Sequence, residues 1–353
     1  MDNSTLLFFV VALVYVGAII YLSNQHELER TRQPAGANSL GEVVNRQRET
    51  WLRWLLYGAV ALNFLLNLLI FQTALSSDLM ETLPPEAQLP PINTTAALAN
   101  LVLGAAISLV SFRIISSPTA RQRLQRVLGG RSLYNPDSAM HIVAVVLSLV
   151  LLSTTISQLV FSSELSTSPG DALFQGLIWL ALAFLGVGLS VRRPLAQTLT
   201  RLGLRWPKRA DWLWGIGAGF ALWLILILLS AIWARLVPPE QIQEQMEAAE
   251  KVSRAFATPA LALLLALISS VSEEILFRGA LQPVFGLWPT SIFFTLLHMQ
   301  YAFTPASLIL LVISLGLGWV RQRQSTTASI FAHFVYNFII QFLVVLQVGG
   351  GSF

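Results

Sequence analysis

Pro259-Ala-Leu-Ala-Leu-Leu-Leu-Ala-Leu-Ile268 runs without a charge into Ser-Ser-Val-Ser and then Glu273-Glu274-Ile-Leu-Phe-Arg278-Gly279. The apolar run has the composition of a membrane-spanning helix. It ends in two carboxylates and a guanidinium, and each such group costs about 3 kcal/mol to place inside a bilayer. Ionisable groups kept at that cost mark a working site.

The rest of the chain extends the first half of this reading. Of 353 residues, 55% are hydrophobic and 11% charged, whereas an ordinary soluble domain has roughly a quarter charged. The apolar runs are continuous and do not alternate, which disfavours a β-barrel. The expected fold is therefore all-α, a polytopic transmembrane bundle of about ten spans with the catalytic core in the last five. The spans are placed at 4–22, 52–74, 95–115, 139–162, 172–191, 212–236, 259–279, 288–302, 305–320 and 326–347. Residues 1–211 form an N-terminal region of five spans, 212–347 the candidate catalytic region and 348–353 a short tail. With no cysteine in the chain, disulfides, iron–sulfur clusters and thiol nucleophiles are excluded.

Charge sets the expected orientation. Arg30, Arg32, Arg46, Arg48 and Arg53 gather in loop 23–53, with similar basic clusters at 113–131, at 192–211 and at Arg321 and Arg323. The alternate loops 76–94 and 163–171 hold no Lys or Arg. By the positive-inside rule the basic loops are cytoplasmic and both termini extracytoplasmic, in a multi-pass protein of the plasma membrane. The first run has positive charge after it and none before it, so it is expected to remain as a span and not to be cleaved as a signal peptide. The net charge of +4 comes from these loops and does not indicate a nucleic-acid partner. The lipid bilayer is the expected partner; the oligomeric state is not legible. Tryptophans at span ends, among them Trp51, Trp54, Trp206, Trp212, Trp233 and Trp288, fit an interfacial belt. Loop 237–258 holds good helix formers after Pro238-Pro239 and is expected as a solvated connector, with a lid as the alternative.

Of the four histidines, His26 and His141 read as ordinary interfacial residues. His298 and His333 lie in apolar segments, and Asn337 follows His333 by one turn. At about 1.5 Å per residue, Glu273 lies roughly 20 Å from Pro259, His298 about 15 Å from Trp288 and His333 about 10 Å from Thr326. All three fall in the inner half of a core about 30 Å thick, where they can meet in one cavity. His333 and Asn337, at i and i+4, share a helix face. Glu274 and Arg278 have the same spacing, which suits an internal ion pair, and Glu273 points elsewhere. The two carboxylates thus have separate jobs, one catalytic and one structural.

Carboxylate and imidazole together can activate water, and His and Asn donors can hold an oxyanion in a water-poor site. These are the parts of an amide hydrolase without a Ser or Cys nucleophile. A Zn²⁺ reading would use Glu273, His298 and His333, although the HExxH helix is absent. Two non-hydrolytic readings stand beside it. One is a membrane scaffold or partner-binding protein whose polar groups only bridge helices. The other is a proton- or ion-coupled transporter, for which no convincing repeat between the halves is visible. Ser269, Ser270 and Ser272 read as small packing residues. Gly215 and Gly219 read as a close-packing face, and Gly316 and Gly318 likewise.

Three motifs in order, EExxxR at Glu273–Arg278, FxxxH at Phe294–His298 and HxxxN at His333–Asn337, make the chain resemble the CPBP family of intramembrane proteases, the CAAX-processing, bacteriocin-processing and Abi-like enzymes. Gly279 after Arg278 also fits. The resemblance covers about residues 210–347 and leaves the first five spans unassigned. It implies a glutamate-dependent endopeptidase acting on a peptide or membrane-protein substrate near the cytoplasmic side. In that scheme Glu273 is the base, His298 assists it, His333 and Asn337 form the oxyanion site, and Glu274 and Arg278 hold the site together. Similar proteins are often labelled metalloproteases. The metal-free mechanism is preferred here because Asn suits an oxyanion better than a zinc ion.

Overall fold

The computed structural model describes residues 3–32, 39–76, 92–129, 132–161, 168–240, 242–243, 255–298 and 306–350. Their order is α1 (Asn3–Arg32), α2 (Ser39–Leu75), α3 (Thr94–Ser116), α4 (Pro118–Leu128), α5 (Ala139–Phe161), α6 (Pro169–Gly186), α7 (Leu195–Leu202), α8 (Arg209–Trp233), α9 (Pro259–Glu273), a π-helix (Glu274–Leu281), α10 (Gln282–Phe285), α11 (Leu287–Leu297), α12 (Ala306–Arg323) and α13 (Thr326–Gly350). Among the described residues there is no strand, only an isolated bridge between Leu189 and Arg193. The chain is a polytopic helical bundle.

Eight of these helices are long and apolar enough to cross a membrane, at eight of the ten expected places. The expected first span lies inside α1. The expected eighth, 288–302, is corrected: α11 has 11 residues, about 16 Å of helix, and ends before His298. Three expected loops are also corrected. The stretch after the first span stays helical to Arg32 because no Gly or Pro intervenes before Pro34; Ser23 and Asn24 satisfy their side chains on the Ile20 carbonyl within it. The basic segments at 113–131 and 192–211 fold in part into α4 and α7. A serine at the cap (Ser117 accepting from the Ala120 N–H) and Pro118 at the first position start α4. Most of loop 237–258 lies outside the described residues, and the lid reading with it.

The chain forms two compact units: Met1–Gly129, Tyr134–Ser163 and Gly188–Pro194 in one, Gly130–Leu133, Glu164–Val187 and Leu195–Phe353 in the other. Inside the first, α2, α3 and α5 are joined by a stack of buried amides and hydroxyls. Asn63 Nδ2 donates to Ser108 Oγ at 3.2 Å and Asn67 Nδ2 to Ser153 Oγ at 3.2 Å. Ser157 Oγ donates to Asn67 Oδ1 at 3.2 Å and to Asn100 Oδ1 at 3.3 Å. In an apolar interior such bonds hold helices in register. His141, as expected, sits at a span end, where Nδ1 accepts from the Asn135 N–H at 2.9 Å. His26, which falls in the expected loop 23–53, is instead buried within α1, 7% exposed.

The second unit is built on a close approach of α8 and α13. A Cβ on Gly215 would come within 2.4 Å of Phe331 Cβ, and one on Gly219 within 2.5 Å of the Ala332 carbonyl. Only glycine permits that contact, which supports the packing-face reading of Gly215 and Gly219. Gly316 and Gly318 play the same part, closed against Leu222 and Leu287 respectively. Leu222, Ile313, Leu317, Ala332 and Tyr336 form the apolar seam. Asp211 anchors the N-terminal end of this pair. It accepts from Arg205 (2.7 and 3.2 Å), from Ser325 Oγ (2.6 Å) and from the Lys208 N–H (2.9 Å). Thr326 Oγ1 donates to the Leu202 carbonyl at 2.5 Å. The start of the helix that carries His333 and Asn337 is therefore fixed.

Candidate active site

The two glutamates fall on either side of a change in helix type. Glu273 is the last residue of α9, and Glu274 begins the π-helix. Wide π turns are rare and gather at functional sites. The turn is braced from outside, where Gly279 meets α7: its carbonyl accepts from Arg201 Nη1 at 3.2 Å, and a Cβ there would lie 2.9 Å from the Leu202 carbonyl. Gly286, at φ +90°, reverses the chain between α10 and α11, so that α11 delivers Phe294 and His298 to the glutamates.

Glu274 and Arg278 are both fully buried and form an ion pair, Arg278 Nε to Glu274 Oε2 at 3.5 Å. The guanidinium also donates from Nη2 to the Ser314 carbonyl (3.2 Å) and Oγ (3.1 Å) and lies 4.6 Å from the Phe294 ring centroid. The carboxylate is shared further. Ser329 Oγ donates to Glu274 Oε2, and His333 Nδ1 lies 3.0 Å from Oε1. Ser329 Oγ also lies 3.0 Å from the Leu317 carbonyl. Glu274 thus gathers three helices around one buried charge. A buried carboxylate needs that number of partners, since an uncompensated one is costly.

Glu273 is in a different environment. Its side chain is 21% exposed and its Oε2 lies 4.0 Å from Nε2 of His298, itself 25% exposed. His298 caps α11, and its Nδ1 is 2.8 Å from the Phe294 carbonyl. A carbonyl only accepts, so Nδ1 carries a proton and Nε2 is the nitrogen turned toward Glu273. The imidazole also packs on the Phe294 ring, 4.4 Å between centroids. Asn337, one turn beyond His333, donates from Nδ2 to Ser269 Oγ at 2.9 Å. Ser269 is one turn before Glu273 on α9.

The six predicted site residues are therefore brought together in two linked groups: Glu273 with His298, and Glu274 with Arg278 and His333. Asn337 bonds to Ser269 on the helix that ends at Glu273, and Phe294 packs against both histidines, 4.4 Å from His298 and 6.3 Å from His333 by centroids. Sequence reasoning missed Ser314 and Ser329 and gave Ser269 only a packing role. The signal was present. Ser269 and Ser329 precede Glu273 and His333 by four residues, so each lies on the site-facing side of its helix.

The zinc alternative fits this geometry poorly. His333 turns Nδ1 to Glu274 and not to Glu273 and His298, and no group of three His, Asp or Glu among the described residues is placed to share a metal ion. Glu273 and His298 alone could supply two donors.

Residues 255–339 match the family model of the Rce1-like proteins, the type II CAAX prenyl endopeptidases. The match runs from just before α9 to two residues past Asn337, and it is consistent with a CPBP-family intramembrane protease. No curated protein and no solved structure matches the chain.

Proposed function

Starting from an Rce1-like protease segment in a multi-pass membrane protein, we propose that the chain is an intramembrane endopeptidase with Glu273 as its general base. One observation carries the reading: Glu273 is the partly exposed carboxylate, and it faces a histidine whose other nitrogen is already fixed. Glu274, fully buried and already engaged by three partners, is closed to a substrate.

In the proposed reaction a water held between Glu273 and His298 Nε2 gives a proton to Glu273 as its oxygen bonds to the substrate carbonyl carbon. The carbonyl electron pair moves to oxygen, where His333 and Asn337 donate to the oxyanion. The Asn337 amide has two N–H groups; one is given to Ser269, and the other is assigned to the substrate. His333 donates from Nε2 as an imidazolium, whose charge Glu274 offsets at Nδ1. When the oxyanion collapses, the C–N bond breaks and Glu273 returns its proton to the leaving amine. Glu274 and Arg278 hold this frame and do not react. The reaction needs no metal step.

The substrate is a peptide or membrane-protein segment, cut near the cytoplasmic side, where the span-depth estimates place Glu273. The test is purified full-length protein in detergent with a panel of membrane-proximal peptides, comparing wild type with Asn337→Ala and His333→Ala. Cleavage surviving both substitutions at the wild-type rate would remove the site assignment. Chelator inhibition reversed by Zn²⁺ would overturn the metal-free mechanism.

A further inference from the structure

The first unit contains a cavity of about 360 Å³, within the usual range for small-ligand sites. It lies at one end of the helices: at the C-terminal ends of α1 and α3, the N-terminal ends of α2 and α5, and α4. Its floor combines apolar side chains, Leu52, Leu56 and Ile115, with two buried nitrogen-bearing groups, His26 and Arg121. Both are 7% exposed. Arg30 and Arg53 stand at the exposed rim, with Glu49 and Asp137.

The charges do not cancel. Glu49 is committed to Arg53, at 2.6 Å one turn away. Asp137 is exposed and meets Arg30 through its backbone carbonyl. That leaves Arg121 as a buried cation whose bonds go only to neutral acceptors, the Ile114 and Ile115 carbonyls at 3.1 Å each. Its Nε and the Nδ1 of His26 have no hydrogen-bond partner among the described residues. Tyr134, beside Arg121, supplies no counter-charge, since burial pushes its hydroxyl up to about 12. A buried guanidinium without a carboxylate calls for an anion from outside.

We propose that this cavity binds a phosphate group, an anion whose oxygens match a guanidinium fork. Two sources present that chemistry at the end of a membrane helix: the headgroup of an anionic phospholipid and free inorganic phosphate. Arg121 and His26 hold the phosphate from the floor, and Arg30 holds it from the rim. The apolar floor accommodates the glycerol end of a lipid. The site belongs to the first unit and does not depend on the protease reading.

The probes are dioctanoyl phosphatidylglycerol, dioctanoyl phosphatidylcholine and inorganic phosphate. Binding is measured on the full-length protein in neutral detergent, by native mass spectrometry and by the shift of the melting temperature. Saturable binding of phosphatidylglycerol or phosphate is expected, weakened about tenfold or more by Arg121→Gln and by Arg30→Gln, as for the loss of one charge-assisted bond. Phosphatidylglycerol binding with none for phosphate identifies a lipid headgroup; comparable binding of both identifies the free anion. Because Arg121→Gln removes bonds that close α3, Arg30→Gln at the exposed rim decides the matter if the former does not fold. Absence of saturable binding, equal binding of phosphatidylcholine, or affinities unchanged in the folded variants would overturn the site.

Discussion

His333 Nδ1 lies 3.0 Å from Glu274 Oε1, while Nε2 of His298 faces Glu273. Each of the adjacent glutamates has its own histidine, and the two pairs differ in depth. Glu274 and His333 are buried, and Glu273 and His298 are partly open. The change from α-helix to π-helix falls between the two carboxylates, so neighbouring residues serve a partly open pair and a buried one.

Glu274→Ala leaves Arg278 buried with no carboxylate, and removing one partner of a buried ion pair costs about 3–5 kcal/mol. A large fall in melting temperature in detergent is expected, along with loss of cleavage. A folded variant with an unchanged melting temperature would show that the ion pair is not a brace.

Ser269→Ala removes the group that orients Asn337 without touching substrate. The expected result is a fall in kcat of about tenfold, as for one weakened donor, with KM and melting temperature held. Asn337→Ala removes the donor itself, and kcat should fall by about 10²–10³. Equal kinetics for wild type and both variants would take Asn337 out of the oxyanion site.

Gly219→Leu forces a side chain against the Ala332 carbonyl, which cannot move aside without moving α13. Overpacking of this kind costs about 1–3 kcal/mol, to be read as a lower melting temperature. Gly217, where a Cβ meets nothing within 4 Å, supplies the control: Gly217→Leu should melt with the wild type.

Asp211→Ala removes the acceptor for Arg205, Ser325 and the Lys208 N–H together. Hydrogen bonds to a charged group are each worth about 1.5–3 kcal/mol, so the N-terminal end of α13 should loosen. Faster amide hydrogen exchange over residues 325–333, measured by mass spectrometry, is the expected signature. Unchanged exchange there would show that Asp211 caps only its own helix.

The bundle and most of its spans are legible because length and apolarity alone define a membrane helix. The Glu274–Arg278 pair is legible from four-residue spacing, although the turn beneath it is π and not α. Nothing in Glu-Ile-Leu-Phe-Arg distinguishes the two helix types, and the close contact of Gly279 with Leu202 is made by a helix distant in sequence. The short α11 is hidden by an apolar run that continues past His298 in sequence. Spacing puts His333 on one helix face with Asn337 but gives no sign that its Nδ1 serves Glu274. A contact between side chains 59 residues apart leaves no periodic trace. The Asn63, Asn67 and Asn100 stack is open to reading, since Asn63 and Asn67 share a helix face, but without titratable groups it gives no chemical signal.

The central claim is that Glu273, and not Glu274, is the base. The most direct measurement is cleavage of a membrane-proximal peptide by purified Glu273→Gln, a substitution that keeps the size of the side chain and removes its capacity to accept the proton. The expected result is a kcat lower by about 10²–10⁴, the usual contribution of a general base, at the wild-type melting temperature. Wild-type turnover by a folded Glu273→Gln protein would contradict the assignment.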